Sequence, residues 1–513
     1  MGTVVVGSAA PAAAAEPGAV DRAVERVIGP IAERLSGIVF YAVPLGDVEV
    51  PLIVVYLIGA GALFTVYFGF INVRGFRHSV DVTRGVYDDP DDPGETSHFQ
   101  ALMTALSATV GLGNIAGVAI AITIGGPGAT LWMVVAALVG MSTKFVECSL
   151  AVKYRRTAAD GSVLGGPMYY LEDGLQQRGS PRWLAKGLAV FFAVAAMGGA
   201  IGAGNMFQSN QAYQQFLAVA GDDGVFAANG WAFGLILAVA VAVVIVGGIR
   251  SIARVTEKLV PLMAGLYVTA GVVIIAINVQ QVPSALGEIV SGAFTGAGVA
   301  GGIVGAFIAG IQRAAFSNEA GLGSAAIAHS SARTDMSIRD GFVAQLEPII
   351  DTVIVCTVTA LVIVITGVHE GAGAEVEGVT LTSEAFAQDI SWFPTVLAVA
   401  VIMFAFSTMI SWSYYGVQAA EYLFGAHPLV ARGFQLVFCA FVVVGAALSL
   451  DSVVPLMDSL VFMMCLGNVI GLAVLAPELR RELREYWALH RGGGMPTYAE
   501  EVETGLRPGA GVS

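Results

Sequence analysis

Residues 99–126 read FQALMTALSATVGLGNIAGVAIAITIGG. The stretch is apolar and exceeds the roughly 20 residues that a helix needs to cross a bilayer. Val110-Gly111-Leu112-Gly113-Asn114 stands at its middle. Each Gly costs a helix interior about 1 kcal/mol against Ala, and Asn is a poor helix former too. The run fits either a GxxxG-like packing face or a helix interrupted at mid-membrane depth, with freed backbone groups lining a binding site. A second apolar stretch, 300–331, repeats the feature with Phe316-Ser317-Asn318-Glu319-Ala320-Gly321-Leu322-Gly323. Ser, Asn and Glu are poor lipid-facing residues, and an intramembrane Glu is functional by default. The repetition favours interruption over packing.

The rest of the chain supports a membrane setting. Of 513 residues 56% are hydrophobic and only 12% charged, with a mean hydropathy of +0.76. Soluble domains carry about 25% charged residues. That composition excludes a soluble enzyme and a disordered chain. With 39 acidic against 25 basic residues there is no basic stripe for nucleic acid. The four Cys (148, 356, 439, 465) all lie in apolar runs and read as small core residues.

An all-α polytopic membrane protein follows. Residues 1–50 form a tail with an amphipathic helix over 21–40, read as lying on the membrane surface. A leading span covers 51–72. Ten core spans follow at about 99–124, 127–154, 184–217, 229–248, 257–279, 300–331, 341–367, 393–424, 428–450 and 452–476. Short helices are expected at 283–294 and 382–390. The two interruptions lie five spans apart. Five is odd, so the halves 99–279 and 283–476 enter the membrane inverted. Paired broken helices in an inverted repeat point to a secondary transporter with a midplane site. Lys and Arg gather in alternate loops, and the loops at 218–228, 280–283 and 368–392 have none. The positive-inside rule then sets the C-terminal tail, 477–513, in the cytoplasm and the N-terminus outside.

Three stretches carry a family resemblance: TALSATVGLGNIAGVAIAITIGGPGATLWM (104–133), AAFSNEAGLGSAAIAHSSARTD (314–335) and FAFSTMISWSYYG (404–416). Through them the chain resembles the alanine or glycine:cation symporter family over nearly all of 51–480. The resemblance implies a LeuT-type fold of five plus five inverted helices, here with one extra leading helix. It implies sodium-coupled symport of alanine or glycine across the cell (plasma) membrane. Leu112 departs from the small polar residue that many members carry.

A zwitterionic amino acid needs a partner for each charge. The half-helix beginning near Gly113 and Asn114 offers N–H groups and a positive dipole end to a carboxylate. The half ending near Ser107–Val110 offers carbonyls to a cation. Gly111 and Gly113 permit close approach. Phe316, Trp412 and Gln208 are candidate pocket walls, although aromatic core residues and an interhelical amide bond explain them equally from the residues alone. Ser407 and Thr408 fit ordinary hydroxyl back-bonding within a helix. The resemblance instead implies a sodium site made of the Ser107, Val110 and Phe404 carbonyls with the Ser407 and Thr408 hydroxyls.

Other in-span charges are Lys144, Glu147, Arg313, Glu319, Glu347, Asp351 and Asp458. Lys144 and Glu147, three apart, are expected to pair, and Arg313 and Glu319, which flank the second break, to form a gate pair or hold the break open; none is assigned to substrate. His98 and His329 read as loop or helix-end residues. No metal-ligand spacing or Walker motif occurs, so no cofactor beyond the coupling ion is expected. An intramembrane enzyme would need a nucleophile–base pair or metal ligands, and a channel a pore ring; neither is legible. Proton coupling is the alternative, with Glu319 the nearest carboxyl. Nothing in the sequence implies an obligate protein partner.

Overall fold

The structure, a computed structural model, describes residues 19–492 apart from 46–47, 159–160, 222–225, 228, 296–301, 372–377 and 391, with positions 495, 497 and 500 beyond. Residues 1–18 of the N-terminal tail and most of the C-terminal tail beyond 492 lie outside the described residues. The helices are α1 (Ala19–Val39), α2 (Leu52–Tyr67), α3 (His98–Thr109), α4 (Ala116–Gly125), α5 (Ala129–Lys153), α6 (Arg182–Ala220), α7 (Gly230–Ile245) and α8 (Gly248–Ile277). They continue as α9 (Val282–Thr295), α10 (Gly302–Asn318), α11 (Ser324–His329), α12 (Ser337–Thr366), α13 (Val379–Asp389), α14 (Phe393–Phe424), α15 (Pro428–Ala446) and α16 (Leu450–Arg491). Short helices over Ile71–Arg74 and Phe76–Thr83 and two small hairpins complete the described elements named here.

Seven of these helices are long and apolar enough to cross a membrane, and α2, α4 and α7 are shorter apolar helices. The fold is an all-α polytopic membrane protein. Its outer faces are apolar, as lipid requires: Leu235, Ile236, Val239 and Val243 on α7, and Leu436 on α15, are all exposed. Inside, small residues bring backbones together. An ideal Cβ on Gly445 of α15 would lie 2.4 Å from Met206 Cα, and one on Gly310 of α10 would lie 2.4 Å from the Ala129 carbonyl. The helix at α1 forms as expected but packs along α16, with Phe40 against Phe462 at 5.3 Å between ring centroids.

Both expected interruptions occur. A capping box starts α3: Ser97 Oγ accepts from Gln100 N, and Gln100 Oε1 accepts from Ser97 N, both at 3.2 Å. The helix ends at Val110, whose ψ of 81° leaves the helical region. In the second crossing α10 stops at Asn318 and α11 starts at Ser324. There Glu319 has φ 55°, Gly321 φ 94° and Gly323 φ 85°. A left-handed Glu costs on the order of 1 kcal/mol and marks a site whose surroundings over-determine it.

Two helices carry wide π turns near the breaks, Gly202–Met206 within α6 and Ile349–Cys356 within α12. Such turns open one backbone step and often mark functional sites.

Candidate substrate and ion site

The first break is held by its own Asn. Asn114 Oδ1 accepts from Gly111 N at 2.9 Å, which closes the turn. Asn114 Nδ2 donates to the Asp351 carboxylate at 2.6 Å and to the Asp351 carbonyl at 3.0 Å. Asp351 sits on the π turn of α12 and also accepts from Ser317 Oγ at 2.8 Å and Thr352 Oγ1 at 2.6 Å. One buried carboxylate therefore braces both breaks. The side chain of Asn114 is committed to this brace and is not among the cavity-lining residues.

A narrow cavity lies between the breaks, lined by Ala108, Thr109, Gly113, Ala203, Gln208, Phe316, Glu319, Trp412 and Val461. Four of the six residues expected to bind substrate meet here: Gly113, Gln208, Phe316 and Trp412. Gly111 stands behind the wall; an ideal Cβ on it would lie 2.4 Å from Thr408 Oγ1. Neither Gly111 nor Gly113 has positive φ, so close approach, not left-handed backbone, is what they provide. Gln208 is aimed at the break. Its Nε2 donates to the Ala203 carbonyl in the π turn at 3.0 Å, and its Oε1 accepts from Leu112 N at 3.4 Å. Trp412 reaches the cavity because Gly204 lets it pass: an ideal Cβ there would lie 2.2 Å from the indole. Phe316 packs edge-on against Phe207 at 5.5 Å.

Four of the five residues of the expected ion site are joined by hydrogen bonds: Ser107, Phe404, Ser407 and Thr408. Thr408 Oγ1 donates to the Ser107 carbonyl at 3.0 Å, and Ser407 Oγ donates to the Phe404 carbonyl at 2.9 Å. Ser107 Oγ donates to the Ser407 carbonyl at 2.7 Å. Val110 is fully buried at the end of α3. Neutral carbonyls and hydroxyls in a dry interior suit a hard cation, because the oxygens replace its hydration shell.

Several charges behave otherwise than the sequence suggests. Lys144 does not pair with Glu147; it bonds Glu347 at 2.9 Å, 203 positions away. Glu147 instead accepts from Asn468 Nδ2 at 2.6 Å. Arg313 and Glu319 form no gate pair. Arg313 bonds Asp458 of α16 and lies 5.5 Å over the Phe316 ring, while Glu319 accepts from Ser324 Oγ. Glu319, not assigned to substrate above, lines the cavity. His98 and His329 do sit at helix ends but are buried; His98 Nδ1 meets Asp340, and both His329 nitrogens are bonded, to Asp340 and Glu347. Spacing hid one further cluster: Cys148, His329 and Glu347 bring ligand-type atoms within 4.8 Å. Both His329 nitrogens and both Glu347 oxygens are already bonded, and the Lys144 ammonium sits among them, so the donor set fits a metal poorly. Thr109, Ala203 and Val461 line the cavity without any signal in the sequence, because only folding selects them from other small residues.

An inverted-repeat bundle with two interrupted helices facing a buried cavity defines a secondary transporter of the LeuT type. Among solved structures, MhsT in complex with L-phenylalanine shares the fold, with a TM-score of 0.52 at 17% identity over 74% of this chain and 89% of that one. The chain belongs to the sodium:alanine symporter family, which it matches over residues 43–500. It is 40% identical over 441 residues to the sodium/alanine symporter AgcS of Methanococcus maripaludis, covering 85% of this chain and 94% of that protein. It is 32% identical over 454 residues to the probable sodium/glutamine symporter GlnT of Bacillus subtilis, covering 88% and 91%.

Proposed function

We propose that the chain is a sodium-coupled symporter that carries alanine or glycine into the cell across the plasma membrane by alternating access, with its N-terminus outside and its C-terminus in the cytoplasm. The observation that carries the coupling is the pair of bonds from Ser407 and Thr408 to the Phe404 and Ser107 carbonyls. Rotating the two hydroxyl hydrogens away from the carbonyls turns four donor–acceptor atoms into four oxygens facing one cation. The ion then ties α3 to α14 and holds one conformation, so sodium favours the closed cavity.

The same break serves the amino acid. The start of α4 near Gly113 faces the carboxylate, and the carbonyls ending α3 face the ammonium, with Glu319 at the opposite wall. Phe316 and Trp412 leave room for a methyl side chain. Larger residues overpack against aromatic walls, which costs about 1–3 kcal/mol. The basic loops of the sequence support the orientation.

Uptake of labelled alanine and glycine into proteoliposomes tests the reading. A sodium gradient should drive accumulation, and Ser407→Ala/Thr408→Ala should abolish it in a folded protein. Undiminished sodium dependence in the double variant would move the ion elsewhere, and equal competition by leucine would remove the small-substrate assignment.

A further inference from the structure

A line of charged side chains runs away from the central cavity. Lys144 Nζ donates to Glu347 Oε2 at 2.9 Å. Glu347 Oε1 meets His329 Nε2 at 2.6 Å, and His329 Nδ1 meets Asp340 Oδ2 at 2.7 Å. Asp340 Oδ1 meets His98 Nδ1 at 2.7 Å, and His98 Nε2 faces Asp88 Oδ1 at 3.8 Å. Glu347, His329 and Asp340 each use their two polar atoms on two different neighbours, and His98 turns its second nitrogen toward Asp88. Isolated ion pairs gain most when both carboxylate oxygens serve one partner; here the pattern is a chain.

Both ends of the chain open onto space. The Lys144 ammonium feels the charge of Glu319, which lines the central cavity, while its ion pair is with Glu347. Asp88 is 33% exposed and borders a separate open cleft with Thr83, Arg84, Phe99 and Leu346. The four links between these ends are buried, with side chains of Lys144, Glu347, His329 and Asp340 at 0% exposure. Asp88 meets the cleft through its exposed part, while its Oδ1 and His98 Nε2 are buried, have no hydrogen-bond partner and face one another, so a proton taken up by Asp88 has His98 as its next acceptor. Burying this many ionisable groups in a membrane protein is expensive, and such chains mark proton paths when they connect two aqueous spaces.

We propose that Asp88, His98, Asp340, His329, Glu347 and Lys144 form a proton relay that joins Glu319 at the central cavity to the cleft at Asp88. A proton taken up at His98 Nε2 is matched by one passed from Nδ1 to Asp340. Asp340 passes one to His329 Nδ1, and His329 Nε2 passes one to Glu347. Lys144 hands its proton to Glu319 and is recharged from Glu347. One proton leaves the cleft, one arrives at Glu319, no electrons move, and every relay group returns to its starting charge. The other charges along the path are Glu147 and the Cys148 thiol beside Lys144, Asp351 beside Glu319, Arg155 beside Asp340, and Arg333 and Arg339 beside Asp88. Burial favours the neutral form of Asp88, and the Arg333 and Arg339 charges beside it oppose that. The relay rests on the symporter reading, since it makes the charge of a cavity wall depend on the cleft side.

The experiment uses the full chain in proteoliposomes with pyranine trapped inside and the membrane potential clamped. Labelled alanine uptake and internal pH are read together under a sodium gradient. The expected result is an alanine-dependent pH change that falls about tenfold or more in His98→Gln, since a glutamine accepts and donates hydrogen bonds but carries no proton. Asp88→Asn leaves the buried links in place and should also slow the pH change, so it reads the relay even if His98→Gln fails to fold. Sodium-driven uptake with no pH change, or a pH change in both variants as large and as fast as in the unsubstituted protein, overturns the relay and leaves the symporter standing. Absence of sodium-driven uptake overturns the symporter and the relay with it.

Discussion

The Asn114 amide donates to the Asp351 carboxylate at 2.6 Å, and Ser317 Oγ bonds the other oxygen of the same carboxylate at 2.8 Å. Asn114 belongs to the first break and Ser317 to the second, so the two interrupted crossings are tied through one anion on α12. Removing the amide leaves a buried carboxylate short of a donor, a loss of about 1.5–3 kcal/mol. Asn114→Asp is worse, because it sets a second carboxylate against the first. Thermal unfolding in detergent should rank the unsubstituted protein above Asn114→Ala and that above Asn114→Asp. An Asn114→Asp protein more stable than Asn114→Ala would mean that Asp351 is not an anion held by this amide.

The two breaks were legible because Gly and Asn at mid-span have no apolar rationale. The pairing of charges was not. Lys144 and Glu147 share one helix face, and local spacing suggests a bond, yet Lys144 finds Glu347 and Glu147 finds Asn468. Contacts between helices 200 or more positions apart leave no periodic trace in a single sequence. The brace at Asp351 was hidden for the same reason, and the π turns that aim Gln208 and Asp351 have no residue signature of their own. At Ser107, Phe404, Ser407 and Thr408 hydroxyl back-bonding and ion ligation look identical from composition, and only the resemblance singled these residues out.

Gly204 and Trp412 form a matched pair, since any Cβ at 204 would lie 2.2 Å from the indole. Gly204→Ala should drive the indole toward the cavity and reduce alanine uptake more than glycine uptake. Trp412→Phe should enlarge the cavity and admit serine or valine. In the double variant the smaller ring should relieve the clash, so the two effects on alanine uptake should be non-additive. Competition assays with glycine, alanine, serine and valine measure the ranking. Strict additivity would show that the two residues do not act on one wall.

His78 lies outside the membrane-spanning segments, in the helix Phe76–Thr83, with Nε2 2.6 Å from the Tyr486 hydroxyl and its ring 5.4 Å from Trp487. Burial, with the nearby His490 and Arg339 charges, lowers its pKa from 6.5 to about 4. The folded imidazole is therefore neutral where the unfolded one binds a proton. Its contribution to stability is intact above pH 6.5 and is lost as pH falls from 6.5 toward 4. The end of α16 should loosen from this helix in that window. Trp fluorescence between pH 7 and pH 4.5 should show a transition that His78→Gln lacks, and an identical transition in the variant would exclude His78 as its source.

On the proposed reading, Gly111 borders the ion and Gly113 the amino acid. A methyl at Gly111 would meet Thr408 Oγ1 at 2.4 Å, closer than any real Cβ contact, with Gln208 Oε1 next at 3.4 Å. Thr408 is the hydroxyl that reaches the Ser107 carbonyl, so Gly111→Ala should displace an ion ligand. A methyl at Gly113 has the Phe316 ring and Ser317 Cα as its nearest neighbours, each at 3.4 Å, which is ordinary contact. It occupies cavity space and leaves the ion oxygens alone. The expected outcome is a split. Gly111→Ala should raise the sodium concentration needed for half-maximal uptake by about tenfold, equivalent to about 1.4 kcal/mol, for alanine and glycine alike. Gly113→Ala should leave the sodium dependence unchanged and weaken alanine more than glycine, because the added methyl takes the volume that the substrate methyl needs. Sodium titrations of uptake with each substrate measure both effects. If Gly113→Ala shifted the sodium dependence and Gly111→Ala did not, the ion and the amino acid would have to exchange places along the break.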